Sequence, residues 1–417
     1  MKAPGRTATV TILGTTQTLA WASSYYLPAM LAQSIARDLG ISVQTVFAAF
    51  SVALVISALL GPWSGRCIDQ WGGRPVLMAT NLVFALGIAT LGWAQNSTLF
   101  FAAWLIIGIG MGTGLYEAAF STLVRLYGVD SRNAITGVTL FAGFASTVGW
   151  PLSAWLEVHY GWRITCFVWA GLHLALGLPL NALVPRITRT QSFAIHKPAP
   201  EPAAPRPAAD PVDAGQSALK KRASLLMAGV FAIGWFTSTA MAAHLPELLQ
   251  QGGLSLGAAV AMAALVGPAQ VAGRIAEFTL LRRIHPLLSA KIATLAHPVG
   301  AAALLIAGGP AAMLFTVLHG AGNGILTIAK GTLPLILFGP AGYGARQGWL
   351  MVPARIAQAL SPWLFGALMA AWGFQALWLT GLLGLAAFFA LVALSTLHDQ
   401  LANTPQNPPP TDTTPHG

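Results

Sequence analysis

The chain has 417 residues, 55% of them hydrophobic and only 8% charged, with a mean hydropathy of +0.66. A soluble protein carries roughly 25% charged residues, so so few charges cannot clothe a globule of this size, and lipid is the expected solvent for most of its surface. The net charge of +10 would suit nucleic acid, but the basic residues fall between hydrophobic segments in strict alternation, which argues against that partner.

The start is basic (Lys2, Arg6), and the apolar stretch behind it is too long for a signal-peptide core, so it reads as a retained first span. Twelve mostly apolar stretches follow in order, beginning near Val10, Gln44, Pro75, Leu99, Ile135, Arg163, Ala223, Gly257, Leu288, Ala311, Gly348 and Phe374. Each has the roughly 20 residues needed to cross about 30 Å of hydrocarbon. The connections 94–98, 308–311 and 371–374 are so short that the spans they join must be antiparallel neighbours. One set of loops holds Arg66, Arg74, Arg125, Arg132, the Arg186–Arg222 linker, Arg282, Arg283, Lys291 and Arg346, whereas the opposite set holds little beyond Arg37 and Arg163. The excess of positive charge on cytoplasmic loops predicts that both termini and the central linker are cytoplasmic.

Four segments follow. Residues 1–186 form one six-helix bundle and 223–398 another. The stretch 187–222 is rich in Pro and Ala, without periodicity, and is expected to be a disordered linker, closed by the interfacial anchor Lys220-Lys221-Arg222. The tail 399–417 is polar and proline-rich and is expected to be disordered. Cys67 and Cys166 are too few for a disulfide framework or a metal-ligand set.

The two halves repeat one another about 210 residues apart. Gly61-Pro62 with Gly65-Arg66-Cys67-Ile68-Asp69 returns as Gly267-Pro268 with Gly273-Arg274-Ile275-Ala276-Glu277. Leu27-Pro28 returns as Leu245-Pro246, the ladder Gly110, Gly112, Gly114 as Gly320, Gly322, Gly324, and Pro151 as Pro362. Duplicated hydrophobic halves are how many transporters build a site at the interface between repeats.

The loop after the second span, Gly65 to Arg74, resembles the G-x-x-x-D-x-x-G-x-R signature of the major facilitator superfamily, and the resemblance extends over the two membrane halves, about 360 residues. It implies an all-α polytopic membrane protein of twelve transmembrane helices in two pseudo-symmetric six-helix bundles. It also implies that Gly65, Asp69, Gly72 and Arg74 latch the halves on the cytoplasmic side, and that spans one, four, seven and ten line a central cavity. The residues support the latch independently. Gly65 permits close helix approach, Gly72 and Gly73 permit a turn with positive φ, and Asp69 can meet the positive end of a neighbouring helix. The plain alternative is a solvated Gly/Asp turn. Two departures stand out: the fourth span lacks the arginine usual near its start, and Gly143 to Pro151 only loosely resembles the exporter pattern of the fifth span, leaving direction open.

Ionisable residues within spans cost roughly 2.5–3.5 kcal/mol each on insertion scales, so each calls for a partner or a role. Glu117 lies about 27 Å into span four at a rise of about 1.5 Å per residue, near the cytoplasmic boundary. Its leading reading is a gate member beside Asp69 and Arg74, with a coupling or substrate-binding carboxylate, or a residue reaching headgroups, as alternatives. Arg355 sits roughly 10 Å deep in span eleven, and the second-half acids Glu247 and Glu277 lie at other levels. An anion-facing role competes there with hydrogen bonding to helix ends. Tyr25, Tyr26, His244, His319 and Asn323 complete the candidate cavity lining, with simple helix–helix hydrogen bonds as the alternative for each. His173 reads as structural, Arg274 as the partner of Glu277, Lys330 as a residue that reaches the interface, and the tryptophans as interface belts and packing.

No phosphate-binding G-x-x-x-x-G-K-[ST] loop, HExxH or paired CxxC is present, so no cofactor, metal or ATP-driven step is expected, and the chain is not read as an enzyme. The best reading is a secondary transporter working by alternating access, monomeric, in a bacterial inner membrane, coupled to a proton. The excess of basic groups in the second-half spans leans toward a small organic anion as substrate. Efflux of a toxic hydrophobic or metalloid compound is the alternative, and a non-transporting membrane sensor a remote one.

Overall fold

The computed structural model describes residues 5–186 and 211–403, all helix and turn with no strand among them. Run lengths set the number of crossings. The run Ser97–Leu183 has 87 residues, several times the roughly 20 that one crossing needs, and it folds back at Gly128 (φ 56°) and Gly161 (φ 80°), giving three crossings. The 58-residue run Tyr343–Gln400 turns at Gly373 (φ 57°) and gives two. Only glycine adopts these left-handed turns without strain. With α1 and α2 as one crossing and the six separate apolar runs, the described chain makes twelve passes.

Several passes are broken. The first consists of α1 (Arg6–Ser23) and α2 (Leu27–Leu39), interrupted at Ser24–Tyr26 where Pro28 in the first turn of α2 removes a backbone donor. The second and third are α3 (Val43–Trp71) and α4 (Gly73–Trp93), turned at Gly72 with φ 85°. Gly73, in contrast, opens α4 in helical conformation and is small for another reason: a Cβ there would run into Thr122. The fourth pass is α5 (Ser97–Gly114) plus α6 (Tyr116–Tyr127), broken at an extended Leu115. The fifth and sixth are α7 (Arg132–Ala142), α8 (Ala145–Leu172) and α9 (Leu178–Leu183), with the reversal at Gly161 inside α8.

The second half has the same six passes with its break in the second of them, as α10 (Pro211–Gln251), α11 (Leu256–Ala264) with α12 (Val266–Thr279), α13 (Pro286–Ala307), α14 (Ala312–Phe338), α15 (Tyr343–Trp372) and α16 (Leu377–Asn403). The linker boundary moves accordingly. Residues 211–222, expected to be disordered, are the first turns of α10, begun by Pro211, a residue suited to a helix start. Residues 399–403 likewise continue α16. The expected disorder of 187–210 and 404–417 lies outside the described residues.

The repeated glycine ladders allow close packing in both halves but turn to different neighbours. Gly112 meets α3 at Ser57, and Gly110 and Gly114 meet α4 at Phe84 and Thr80, whereas Gly320 and Gly324 meet α12 at Val266 and Gln270 and Gly322 meets α13 at Ala293. Large apolar side chains face outward, among them Ile306 (86% exposed) and Trp363 (72%), as lipid-facing positions require. Cys67 and Cys166 are buried and free.

Candidate functional site

The halves meet along α3 and α15, and the approach is closest where two glycines face. A Cβ on Gly65 would collide with the Gly344 carbonyl, and one on Gly348 would lie 2.5 Å from the Pro62 Cα. One turn beyond Gly65, the Asp69 carboxylate accepts the Gly344 amide (3.0 Å) through Oδ1 and the Ala345 amide (2.9 Å) through Oδ2. These are the first amides of α15, so an acidic side chain of one half caps and charge-matches a helix of the other. The repeat-related acid, Glu277 at the corresponding place in the second half, faces the start of α7 in the first. Arg132 donates to its carboxylate at 3.1 Å and to the Ile284 carbonyl at 3.4 Å.

Two sequence expectations change at this end. Arg74 does not face Asp69; its guanidinium reaches the Val184 carbonyl at 3.5 Å, closing α9 onto α4. Glu277 pairs with Arg132 across the interface instead of with Arg274 on its own helix. Arg274 is buried (6% exposed), with Nε unpartnered and Nη1 set against Gly143 of the first half.

Glu117 also leaves the gate. The break at Leu115 turns α6 so that this side chain, in its first turn, points between the halves and not toward Arg74 or Arg125. Arg355 on α15 meets it, with Nη2 3.0 Å from both carboxylate oxygens. The guanidinium is 3% exposed and the carboxylate 17%. Arg355 Nη1 donates to Gln358 Oε1 (3.0 Å), and Gln358 Nε2 donates to the Tyr25 hydroxyl (3.0 Å) at the break of the first pass. A small cavity bounded by Ser57, Gly61, Gly112 and Met351 adjoins the Glu117–Arg355 pair.

Aromatic rings surround this network. Trp21 and Trp235, one from each half, lie parallel with centroids 6.3 Å apart and 6° between planes. Tyr116 and Tyr25 pack on Trp21 at 4.8 and 5.2 Å. The Arg355 guanidinium lies 5.1 Å from the Trp235 ring and 5.9 Å from Trp21. Lys330 on α14 does not reach an interface. It is 5% exposed, its ammonium sits 4.1 Å over Trp235, and no carboxylate or carbonyl among the described residues accepts from it. Lys330 is within electrostatic reach of Glu117, Arg355 and Arg274, and Arg274 within reach of Tyr26 and Tyr116.

The remaining candidates divide. Tyr26 stands edge-on to Trp150 at 5.7 Å. Asn323 donates to Ser238 on α10 at 2.9 Å. His244 contacts the Pro362 carbonyl at 2.8 Å and Glu247 at 4.0 Å, away from the centre. His319 faces His297 on α13. His173 is bonded on both nitrogens, to Ser23 (2.8 Å) and Asn81 (2.9 Å). Trp21, Trp235, Lys330 and Gln358 were not read as site residues from sequence. Lys330 had a usable signal, because it lies seven residues, two helical turns, beyond Asn323 on one face of α14.

The inter-half hydrogen bonds among the described residues are Asp69–Gly344 and Asp69–Ala345, Arg132 with Glu277 and Ile284, Glu117–Arg355, Tyr25–Gln358, and Ser51 to the Ala359 carbonyl at 3.4 Å. None comes from α2, α8 or α11, of which the end of α2, the Gly161 reversal of α8 and the start of α11 lie at the pole opposite Asp69. That pole has pairs within one half instead, such as Asp38 with Arg163 and Ser34 with Glu157. The molecule is therefore tied shut at the Asp69 end.

The chain is similar to several characterised proteins. A gallate transporter of Pseudomonas putida is 33% identical over 157 residues, 36% of this chain and 33% of that protein. The multidrug resistance protein MdtL of Klebsiella pneumoniae is 29% identical over 160 residues, 37% of this chain and 39% of that one. The chain thus matches about a third of the length of these relatives. The human organic anion transporter MFSD10 shares the fold, with a TM-score of 0.65 over 93% of this chain and 100% of that one at 18% identity. The family model of the Major Facilitator Superfamily matches residues 13–329, more than half of the sequence, and together with the twelve-pass, two-bundle architecture this makes the chain a member of that superfamily of membrane transporters.

Proposed function

We propose that the protein is a secondary active transporter that carries a small organic anion through the centre between its halves, with a proton as coupling ion. The observation that carries the reading is a charge imbalance. Arg355 and Lys330 are buried near the centre with Arg274 within electrostatic reach of Lys330, and Glu117, already paired with Arg355, is the one carboxylate acting on Lys330 among the described residues. Burying an unpaired cation costs several kcal/mol, and an anionic ligand would relieve that cost. Rings that pack beside the cations suit an anion with an apolar or aromatic body, consistent with the similarity to a gallate transporter.

The positive-inside pattern supports an orientation with the Asp69 end, the 187–210 linker and both termini at the cytoplasm, and the reading takes the membrane to be a bacterial inner one. On that orientation the latch holds an outward-facing state. Release of Asp69 from α15 and of Glu277 from Arg132 then accompanies the rocking of the two bundles, with the Glu117–Arg355 pair as the central pivot of a protein that works as a monomer in lipid.

Uptake of radiolabelled aromatic carboxylates, gallate first, into proteoliposomes of the purified protein tests this reading. Saturable uptake that a pH gradient accelerates and Lys330→Gln weakens is expected. No carboxylate flux in either direction would overturn it. The similarity to MdtL and the Trp and Tyr lining favour a second reading, export of a hydrophobic compound, which a growth-inhibition panel with and without the gene separates from the first.

A further inference from the structure

The second half contains a histidine pair that the central site does not use. His297 on α13 and His319 on α14 face each other through their Nδ1 atoms at 3.0 Å, with ring centroids 4.9 Å apart. Both are buried, 8% and 4% exposed, and Phe315 stacks on His319 with centroids 5.9 Å apart. The Nε2 atom of His297 is buried with no hydrogen-bond partner among the described residues. Both imidazoles line a cavity with Thr237, Thr294 and Asn323. Asn323 in turn lies on the helix that carries Lys330, so the cavity adjoins the central site.

The first half supplies an internal comparison. His173 is equally buried, but both its nitrogens are bonded, which leaves it nothing to bind. Histidine at the second position is different: a polar atom is left open beside empty space, and leaving such an atom unmade costs about 1–3 kcal/mol. We propose that the His297–His319 pair is the binding site for the coupling proton.

The geometry also sets the count. A contact of 3.0 Å between two Nδ1 atoms holds one hydrogen, since two N–H groups would point at each other. The neutral pair therefore has one shared Nδ1 proton, one protonated Nε2 and one bare Nε2. A proton arriving through the cavity takes that bare lone pair, giving a shared imidazole–imidazolium with a single positive charge. A second proton must break the contact. The pair takes one.

No carboxylate lines the cavity: α10 contributes Val230 and Thr237, and α16 Gly384 and Ala387. From α12, Val266 and Gln270 pack on the helix of His319. The other titratable groups on these elements are Lys291, which is bonded to Ser395, Arg274 and Glu277 on α12, Lys330 on α14, and on α10 His244 and Glu247 with Asp213, Lys220, Lys221 and Arg222 at its start. On α16 they are confined to the final turns, His398 and Asp399. Helices α6, α7 and α15, which also pack on α14, bring Glu117, Arg125, Arg132, Arg346 and Arg355. Lys330, on the helix that carries His319, is the unpaired central cation whose charge an anion would neutralise. Anion binding then raises proton affinity at the pair, and by linkage the proton raises anion affinity equally. That reciprocity is the coupling, and it rests on the organic-anion reading above.

The proton site itself can be tested without a substrate. In protein labelled with ¹⁵N at histidine, imidazole spectra recorded against pH are expected to show His297 and His319 taking up one proton together, a transition lost in both His297→Asn and His319→Asn. Two neutral imidazoles throughout the range in which the protein stays folded would overturn the proposal. In proteoliposomes, both variants are expected to keep exchange of labelled for unlabelled carboxylate within about twofold of wild type while losing pH-driven accumulation tenfold or more. Accumulation that persists, or exchange that falls in parallel with it, would also overturn it. If the wild type moves no carboxylate, the transport reading fails, and the spectra still decide whether the pair binds the proton.

Discussion

Glu117 and Arg355, 238 residues apart in sequence, are joined by one guanidinium nitrogen 3.0 Å from each carboxylate oxygen, and through Gln358 the same arginine holds Tyr25. The pair thus ties passes one and four of the first half to pass eleven of the second. Removing one partner of a buried pair leaves the other charge uncompensated, at about 3–5 kcal/mol. Glu117→Gln and Arg355→Gln are each expected to lower the melting temperature of the detergent-purified protein markedly. The double variant Glu117→Gln/Arg355→Gln should recover most of the loss, and a double as unstable as the sum of the singles would show that the two do not act as a pair.

The latch depends on a carboxylate at a helix start. Asp69→Asn keeps one acceptor oxygen but loses the charge that complements the first amides of α15, an effect of about 0.3–2 kcal/mol. The expected result is a shift toward the state open at the Asp69 end, not unfolding. In a Cys67→Ser background, a cysteine introduced by Gln347→Cys, buried beside that interface in the closed form, should react with maleimide several-fold faster once Asp69→Asn is added.

Close approach at Gly65 has no slack. Because a Cβ at this position meets the Gly344 carbonyl, Gly65→Ala forces the two helices apart at about 1–3 kcal/mol, the usual range for overpacking. Gly344→Ala meets the Gly65 carbonyl in return. Both variants should open the Asp69 end in the maleimide assay, and their effects should be non-additive, since either one alone already separates α3 from α15.

Lys330 has no competing role in holding the halves together, so its replacement isolates the ligand. Lys330→Gln removes the ammonium over Trp235 while leaving Glu117–Arg355 intact. An anion that raises the melting temperature of the wild type by mass action should bind about tenfold more weakly, a change of about 1.4 kcal/mol. Equal thermal shifts for the two proteins would exclude Lys330 from the site.

Orientation is checked by reporters. Fusions of green fluorescent protein within residues 187–210 should fluoresce and fusions of alkaline phosphatase there should be inactive, the reverse of fusions in the Ala94–Asn96 turn.

The one-dimensional pattern alone determined the number of passes, their approximate starts, the duplication and the signature loop, because each is a local property: a bilayer sets the length of an apolar run, and positive-φ turns such as Gly72 demand glycine where they fall. Asp69 could be read as a helix-end partner for the same reason. What only the tertiary structure decided was which groups meet across the two halves. Depth along a helix gave Glu117 the right helix but the wrong neighbours, since the break at Leu115 rotates the first turn of α6 toward Arg355. Depth likewise sent Lys330 to the interface, because rise per residue says how far along a span a side chain starts and nothing about whether it faces lipid or the opposite bundle. Arg132–Glu277, Trp21–Trp235 and His297–His319 were hidden on the same ground: the azimuth of a helix is set by its packing partners, and the repeat that makes the halves alike does not state which face of each turns inward.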